Sequence, residues 1–166
     1  MTSKPETKRT LIDATKALLF ESSSFTVKDI SERAFTNVAA INYHFGDKNS
    51  LVRVALNELV DDFKQTLLET FDRPFEDNRQ ALEMVLQFLL EVYGKYQGAI
   101  KYILLTGDPI AETKLAEQFF FDQEFTSAFL RRLSETTGED DPRMLFYKYS
   151  ISISAFLLPM LIEGRG

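Results

Sequence analysis

Apolar residues recur at helical rather than alternating spacing along the whole of this 166-residue sequence. Glycines and prolines interrupt that pattern at intervals: Gly46, Pro74, Gly94, Gly98, Gly107, Pro109, Gly138 and Pro142. No segment shows the strict alternation that is typical of a half-buried strand. Because 45% of the residues are apolar and 13% are aromatic, the chain can build a packed core. We therefore predict an all-α protein.

The same spacing predicts where the helices lie. The first is expected over 8–20, with Thr7 as its N-cap and Leu11, Ala14 and Leu18 on its inner face. Two short helices are expected within 26–46, followed by a long helix over 48–70 that Asp47 caps. Later helices are predicted over 78–93, 97–105 and 141–163, with one or two more between 110 and 135.

The strongest local signals stand at the first of the two short helices. The Thr26 hydroxyl can accept a hydrogen bond from the amide of Asp29, as an N-cap side chain does. Phe25 before the cap and Ile30 after it can form a hydrophobic staple. Since two independent start signals coincide, we predict that a helix begins directly after Thr26.

The second short helix has the character of a DNA-recognition helix. It is expected to begin after Asn37 and to end at Gly46, with Ile41 and Phe45 turned inward. Its other face is small at the start and polar afterwards: Val38, Ala39, Asn42, Tyr43 and His44. A face of this kind suits a helix whose first turn enters the major groove. The pair of helices therefore predicts a helix-turn-helix that binds double-stranded DNA.

The segments FTVKDISERA and NVAAINYHFGDK, followed by Leu51, resemble the N-terminal domain of the TetR family of bacterial transcriptional regulators. The resemblance covers roughly 7–56. It implies an N-terminal three-helix helix-turn-helix DNA-binding domain, joined by a long helix to a C-terminal helical regulatory and dimerisation domain. On this basis we expect a DNA-binding domain over 1–50 and an effector-binding and dimerisation domain over 51–166. The family acts as homodimers, and we expect a ligand-responsive repressor on a palindromic operator.

The resemblance also implies roles for individual residues. Tyr43, His44 and Lys48 match the family's phosphate-contacting residues, and Thr26 and Lys28 stand where the first short helix approaches the DNA backbone. The positions at which bases are contacted are Asn37, Val38, Ala39 and Asn42. Each of these three phosphate-contacting candidates also has a purely structural explanation. His44 could be a surface histidine, Tyr43 a half-buried aromatic residue and Lys48 a solvated charge.

Two residues of the turn depart from the family pattern. Phe35 stands where glycine is usual, and Thr36 stands where an aliphatic residue is usual. If Phe35 adopts a positive φ, the strain amounts to about 1–2 kcal/mol. Two alternatives are open: packing of the ring offsets that strain, or the turn has a different geometry.

Two sets of residues in the C-terminal part are candidates for binding. Its last two helices are apolar over more than one face, which predicts a four-helix dimer interface with a second copy. The residues expected there are Phe121, Phe125, Phe129, Leu145, Tyr149, Ile153, Phe156 and Met160.

An effector cavity is expected among Phe88, Tyr93, Tyr102, Leu105 and Phe120, although these residues could equally fill a solid core. Few charged residues lie within the apolar stretches of this C-terminal part, with Glu91, Lys101 and Lys148 as exceptions, which favours an apolar or aromatic effector.

The charge distribution fits this division. Through Ser50 there are seven Lys and Arg against six Asp and Glu, which leaves twelve against nineteen for the remainder.

The polar N-terminus and the lack of cysteine lead us to expect a cytoplasmic protein without membrane partners. We expect no cofactor, metal or catalytic residue, since no phosphate loop, nucleophile elbow or paired metal motif is present. The remaining alternative is a DNA-binding regulator whose C-terminal domain binds a protein.

Overall fold

The computed structural model describes residues 4–105 and 122–163, and within these ranges the chain forms helices and no strand. Seven helices are numbered here in chain order. They are α1 (Lys4–Glu21), α2 (Val27–Arg33), α3 (Val38–Phe45), α4 (Lys48–Phe71), α5 (Asn78–Leu105), α6 (Gln123–Thr137) and α7 (Pro142–Glu163). The all-α prediction is confirmed. No helix among the described residues has the length and apolar character needed to cross a lipid bilayer.

The helices divide into two compact units. The first contains the described residues of Met1–Asp61 and Tyr96–Gly107, and the second contains those of Asp62–Lys95 and Asp108–Gly166. Because α4 and α5 pass from one unit into the other, each helix supplies residues to both cores. The predicted boundary after residue 50 stays a prediction.

The first unit has a mainly aliphatic core. The helices α1, α2 and α3 contact one another, and the buried side chains come from all five helices of the unit. The largest fully buried side chains are Leu11, Leu19, Ile30, Ile41, Leu51, Leu59, Ile100 and Tyr96. The guanidinium of Arg33 binds both carboxylate oxygens of Glu21 at 2.6 Å, which joins the ends of α2 and α1.

The second unit has an aromatic core. Phe63 lies with its ring centroid 5.9 Å from that of Phe88 and 5.6 Å from that of Phe125. Tyr149 contacts Phe129 edge to face at 5.4 Å. Burial raises the pKa of Tyr149, as expected for a phenol that sits in such a core. These rings join α4, α5, α6 and α7 into one packed body.

Two predicted helix boundaries are wrong. The first helix is already present at Lys4 rather than beginning after Thr7, because Pro5 fits the first turn, where the missing amide costs no hydrogen bond. Gly94 and Gly98 do not separate two helices, since α5 runs unbroken past both. A β-carbon at Gly98 would lie 2.3 Å from the carbonyl oxygen of Leu19, so that glycine permits close packing against α1.

Candidate nucleic-acid interface

The start of α2 is fixed by a reciprocal pair of hydrogen bonds. The Thr26 hydroxyl accepts from the Asp29 amide at 3.2 Å, and the Asp29 carboxylate accepts from the Thr26 amide at 2.6 Å. The carboxylate also accepts from the Thr26 hydroxyl at 2.8 Å. The Thr26 amide, followed by its hydroxyl, lowers the pKa of Asp29. The predicted cap is confirmed, and the hydroxyl of the exposed Thr26 is engaged in it.

Phe35 in the turn between α2 and α3 adopts φ 51°. Phe35 therefore has the positive φ for which the sequence predicted strain. The ring, however, is 97% exposed, so packing does not offset the strain.

Helix α3 is held at both ends and along its inner face. The side-chain oxygen of Asn37 accepts from the amide of Ala40 at 3.0 Å. Gly46 adopts φ 84° and donates its amide to the carbonyl of Asn42 at 3.0 Å. Ile41 is fully buried and anchors the helix in the first unit. The predicted start and end of α3 are confirmed.

The outer face of α3 is open to solvent. Val38 is 43% exposed and Tyr43 is 68% exposed, and Ala39 and Asn42 are exposed as well. His44 is half-buried, and its ring meets that of Tyr43 edge to face at 5.0 Å. Lys28 on α2 is also exposed and lies 3.5 Å from Glu32. The structure thus leaves the predicted base-contacting side chains accessible along one helix, while their contact with DNA stays a prediction.

Lys48 makes contacts within its own chain. Its ammonium group donates to the backbone carbonyl of Phe25 and lies 4.7 Å from the centre of the Phe25 ring. Burial lowers the pKa of Lys48, and the carboxylate of Asp29 acts in the opposite direction. Because an ammonium has three donors, this contact leaves Lys48 able to bind a phosphate as well.

Two further cations stand beside α3 and were not singled out in the sequence. Lys4 lies 4.9 Å from the centre of the Tyr43 ring, and Lys8 lies 5.8 Å from that of Phe45. Both belong to the first turns of α1, where the sequence predicted either no helix or its first residue. The only sequence signal for them was charge, and charge alone does not show which face a residue occupies.

Several other cations of the first unit have carboxylate partners. Arg9 lies 3.0 Å from Glu58 and 2.5 Å from Asp13, and Lys16 lies 3.4 Å from Glu58. The two pairs with Glu58 connect α1 to α4. The positive charge next to the exposed face of α3 therefore comes mainly from Lys4, Lys8 and Lys48.

The predicted effector residues fall in different places. Phe88 is buried in the second unit, whereas Tyr102 belongs to the first unit, where its ring stacks on Phe25 at 5.8 Å. The side chains of Tyr93 and Leu105, and the whole of Phe120, lie outside the described residues. The cavity predicted from these five residues stays a prediction.

A small cavity of about 140 Å³ opens between α4 and α5 in the second unit. Its wall mixes apolar and charged side chains: Thr66, Glu69, Thr70, Arg73, Met84, Gln87, Phe88 and Glu91. Phe88 is the predicted effector residue that lines it. Small-molecule sites usually measure roughly 300–1,000 Å³, so this cavity fits only a small ligand.

Most of the predicted interface residues that the structure describes pack inside one chain. Phe125, Phe129, Tyr149 and Ile153 are each at most 8% exposed, and Leu145 is half-buried. Phe121 and the side chains of Phe156 and Met160 lie outside the described residues. The opposite face of α7 is exposed and apolar, at Met144, Tyr147 and Ile151. The second apolar face that the sequence indicated is therefore present, but it consists of these residues rather than the buried ones.

The helix-turn-helix is similar in sequence to known proteins. Residues 11–55 match the sequence model of a family described as bacterial regulatory proteins, tetR family. Among solved structures, the TetR family repressor AlkX from Dietzia sp. strain DQ12-45-1b, implicated in biodegradation of n-alkanes, is similar to the chain. The two share 18% identity with a TM-score of 0.45, over 92% of this chain and 82% of that one. A likeness at this level does not bear on what the present chain binds. No curated protein matches the sequence. The match places residues 11–55, which contain the helix-turn-helix, in the DNA-binding domain of the TetR family of bacterial regulators.

Proposed function

We propose that this regulator is a ligand-responsive repressor that binds a palindromic operator as a homodimer. The observation that carries the proposal is the outer face of α3, where Val38, Ala39, Asn42 and Tyr43 are exposed while Ile41 fixes the helix from beneath. Small side chains at the first turn allow close approach to the base edges, and an Asn amide can pair bidentately with adenine.

The charge around α3 supports binding to the DNA backbone. Lys4, Lys8 and Lys48 lie beside the helix, while much of the remaining positive charge of the unit is paired with carboxylates. A few phosphate contacts combined with an acidic C-terminal part give weak nonspecific binding and leave specificity to the bases.

Selection of bound fragments from random duplex DNA tests sequence-specific binding. We expect an inverted repeat whose half-sites are about one helical turn apart, because two copies present two recognition helices. Asn42→Ala should relax the preference at particular base pairs. Asn57→Ala is the matched control, since Asn57 is an exposed asparagine on α4. Enrichment of no sequence by the parent protein contradicts the proposal.

The homodimer is supported by the exposed apolar stripe on α7. Met144, Tyr147 and Ile151 follow one another at helical spacing, and they are 44%, 60% and 69% exposed. The buried residues Tyr149 and Ile153 occupy the opposite face of the same helix. A helix with two apolar faces has one partner inside the chain, and a second copy related by a two-fold axis can cover the other.

The cavity of the second unit supports a response to a small effector. Because Glu69, Arg73 and Glu91 lie in its wall, an effector there would carry polar groups beside any apolar part. Compounds that bind the folded chain raise its melting temperature, so a panel of small polar metabolites can be screened in this way. A true effector must also release the operator, because only unequal binding to the two states shifts their populations.

One observation favours a protein partner as the second candidate. Leu86 and Leu90 stand one turn apart on α5 and are 50% and 72% exposed. An exposed apolar pair of this kind is suited to contact another protein. If Leu90→Asp abolishes regulation in cells while leaving operator binding and dimerisation intact, the protein-binding alternative is the better one.

A further inference from the structure

The turn between α2 and α3 is a Schellman motif that has phenylalanine where the geometry favours glycine. Ala34 is the C-cap, the amide of Phe35 donates to the carbonyl of Glu32 at 3.1 Å, and the amide of Thr36 donates to that of Ser31 at 2.9 Å. Both hydrogen bonds of the motif are present, and the residue that joins them adopts φ 51°. The conformation is therefore imposed by the end of α2.

Phenylalanine is an unfavourable residue for this position. Left-handed geometry strains a side chain with a β-carbon, and an aromatic ring has no local hydrogen bond with which to compensate. At the other two described positions with positive φ, Gly46 and Gly138, the chain has glycine. The ring of Phe35 gains nothing by burial, because it is 97% exposed. Stability of the fold thus does not explain why an aromatic residue stands here.

The location of the ring is informative. Phe35 lies at the entrance to α3, separated by Thr36 from the N-cap Asn37. The next apolar side chain along the exposed surface is Val38, in the first turn of the recognition helix. In a helix-turn-helix that first turn is the part which meets the base edges. The ring therefore continues the surface that we propose for DNA.

We propose that Phe35 is a specificity-determining residue, whose ring contacts the C5-methyl group of a thymine in the major groove at each half-site. Thymine is the base with an apolar group in that groove, and Phe is a suitable partner for it. Backbone strain that does not stabilise the fold is typical of sites that bind a ligand. The inference rests on the proposed sequence-specific binding and adds a contact to it.

Parallel selections with the parent protein, Phe35→Gly and Phe35→Asn provide the test. Glycine and asparagine both accept left-handed geometry, so both variants are expected to fold and Phe35→Gly to melt at a higher temperature. The parent should select a thymine in each half-site that neither variant selects. Replacing that thymine by deoxyuridine removes only the methyl group, and parent affinity should fall by roughly four-fold for each methyl group lost. The affinity of the variants should not change.

The possible failures can be told apart. If the parent enriches no sequence, the proposed function fails and this contact fails with it. If the parent selects an operator and Phe35→Gly keeps both its affinity and its preference for thymine over deoxyuridine, the inference alone is wrong. It is also wrong if the variants lose affinity to the same extent for all sequences, because the ring would then contact the backbone. If the parent bends the operator and the two variants do not, the Phe35 ring is inserted between base pairs, and the inferred contact with the thymine methyl group is wrong.

Discussion

The ammonium of Lys48 donates to the backbone carbonyl of Phe25, and the same group lies 4.7 Å from the centre of the Phe25 ring. One residue begins α4 and the other immediately precedes the cap of α2, so the contact joins the two helices that flank α3 along the chain. The Phe25 ring in turn stacks on Tyr102 of α5. Lys48 is thus a structural link as well as a candidate phosphate contact.

Replacing Lys48 by alanine should therefore have two measurable effects. Loss of the hydrogen bond to Phe25 should reduce the free energy of unfolding by about 1 kcal/mol, as measured by denaturant titration. Loss of a phosphate contact should weaken binding to all sequences and flatten the dependence of affinity on salt by about one unit. Lys95→Ala is the control, since Lys95 is an exposed lysine of the second unit. Salt dependence identical to that of the parent would remove Lys48 from the phosphate contacts.

The capping box of α2 should make stability depend on pH. The Thr26 amide and hydroxyl lower the pKa of Asp29, so the folded state binds a proton less readily than the unfolded state. The stabilisation is present above the unfolded pKa of about 4 and is lost as pH falls through the lower folded pKa. We expect Asp29→Asn to melt at a lower temperature than the parent at pH 7, and the difference to shrink below about pH 4. A difference that does not change between pH 3 and pH 7 would mean that the charge of Asp29 has no part in it.

The elements that the sequence predicted well are those whose signals are local. A threonine three residues before an aspartate, or an asparagine before a small apolar turn, stabilises a helix start through backbone atoms close by in the chain. Thr26 and Asn37 both act as predicted, and Gly46 ends α3 with a φ of 84°. The exposed face of α3 could be predicted once its bounds were known, because Ile41 and Phe45 are four residues apart and so lie on one face of the helix, opposite the polar residues.

The elements that the sequence did not predict depend on contacts between distant residues. Gly98 resembles a helix stop, and only the closeness of Leu19 shows that it allows two helices to pack. Tyr149 and Ile153 have the spacing of an apolar face, but spacing does not show which of two apolar faces the chain itself covers. Phe35 could be identified as unusual, while its exposure depended on the packing around the turn.

The two glycines within α5 should respond in opposite ways to alanine. At Gly98 a β-carbon would meet the Leu19 carbonyl oxygen at 2.3 Å and the Ser22 amide nitrogen at 3.2 Å, and both atoms are backbone. We expect Gly98→Ala to lower the free energy of unfolding by about 1–3 kcal/mol. Gly94 has no atom within 4 Å of that position, so Gly94→Ala should raise it by up to about 1 kcal/mol through helix propensity. Denaturant titration measures both, and equal effects would contradict the close packing of α1 and α5.

A charge on the exposed face of α7 should separate the proposed dimer without unfolding the chain. Ile151 is 69% exposed in one chain, so Ile151→Asp loses little packing there, whereas in a dimer its carboxylate would be buried against apolar side chains. We expect the variant to sediment as a monomer with unchanged helix content, and to bind a full operator far more weakly than the parent. Leu90→Asp is the control, because Leu90 is equally exposed on α5 of the same unit. A dimer that survives Ile151→Asp but not Leu90→Asp would place the interface on α5, and a parent that is already monomeric would rule out the homodimer.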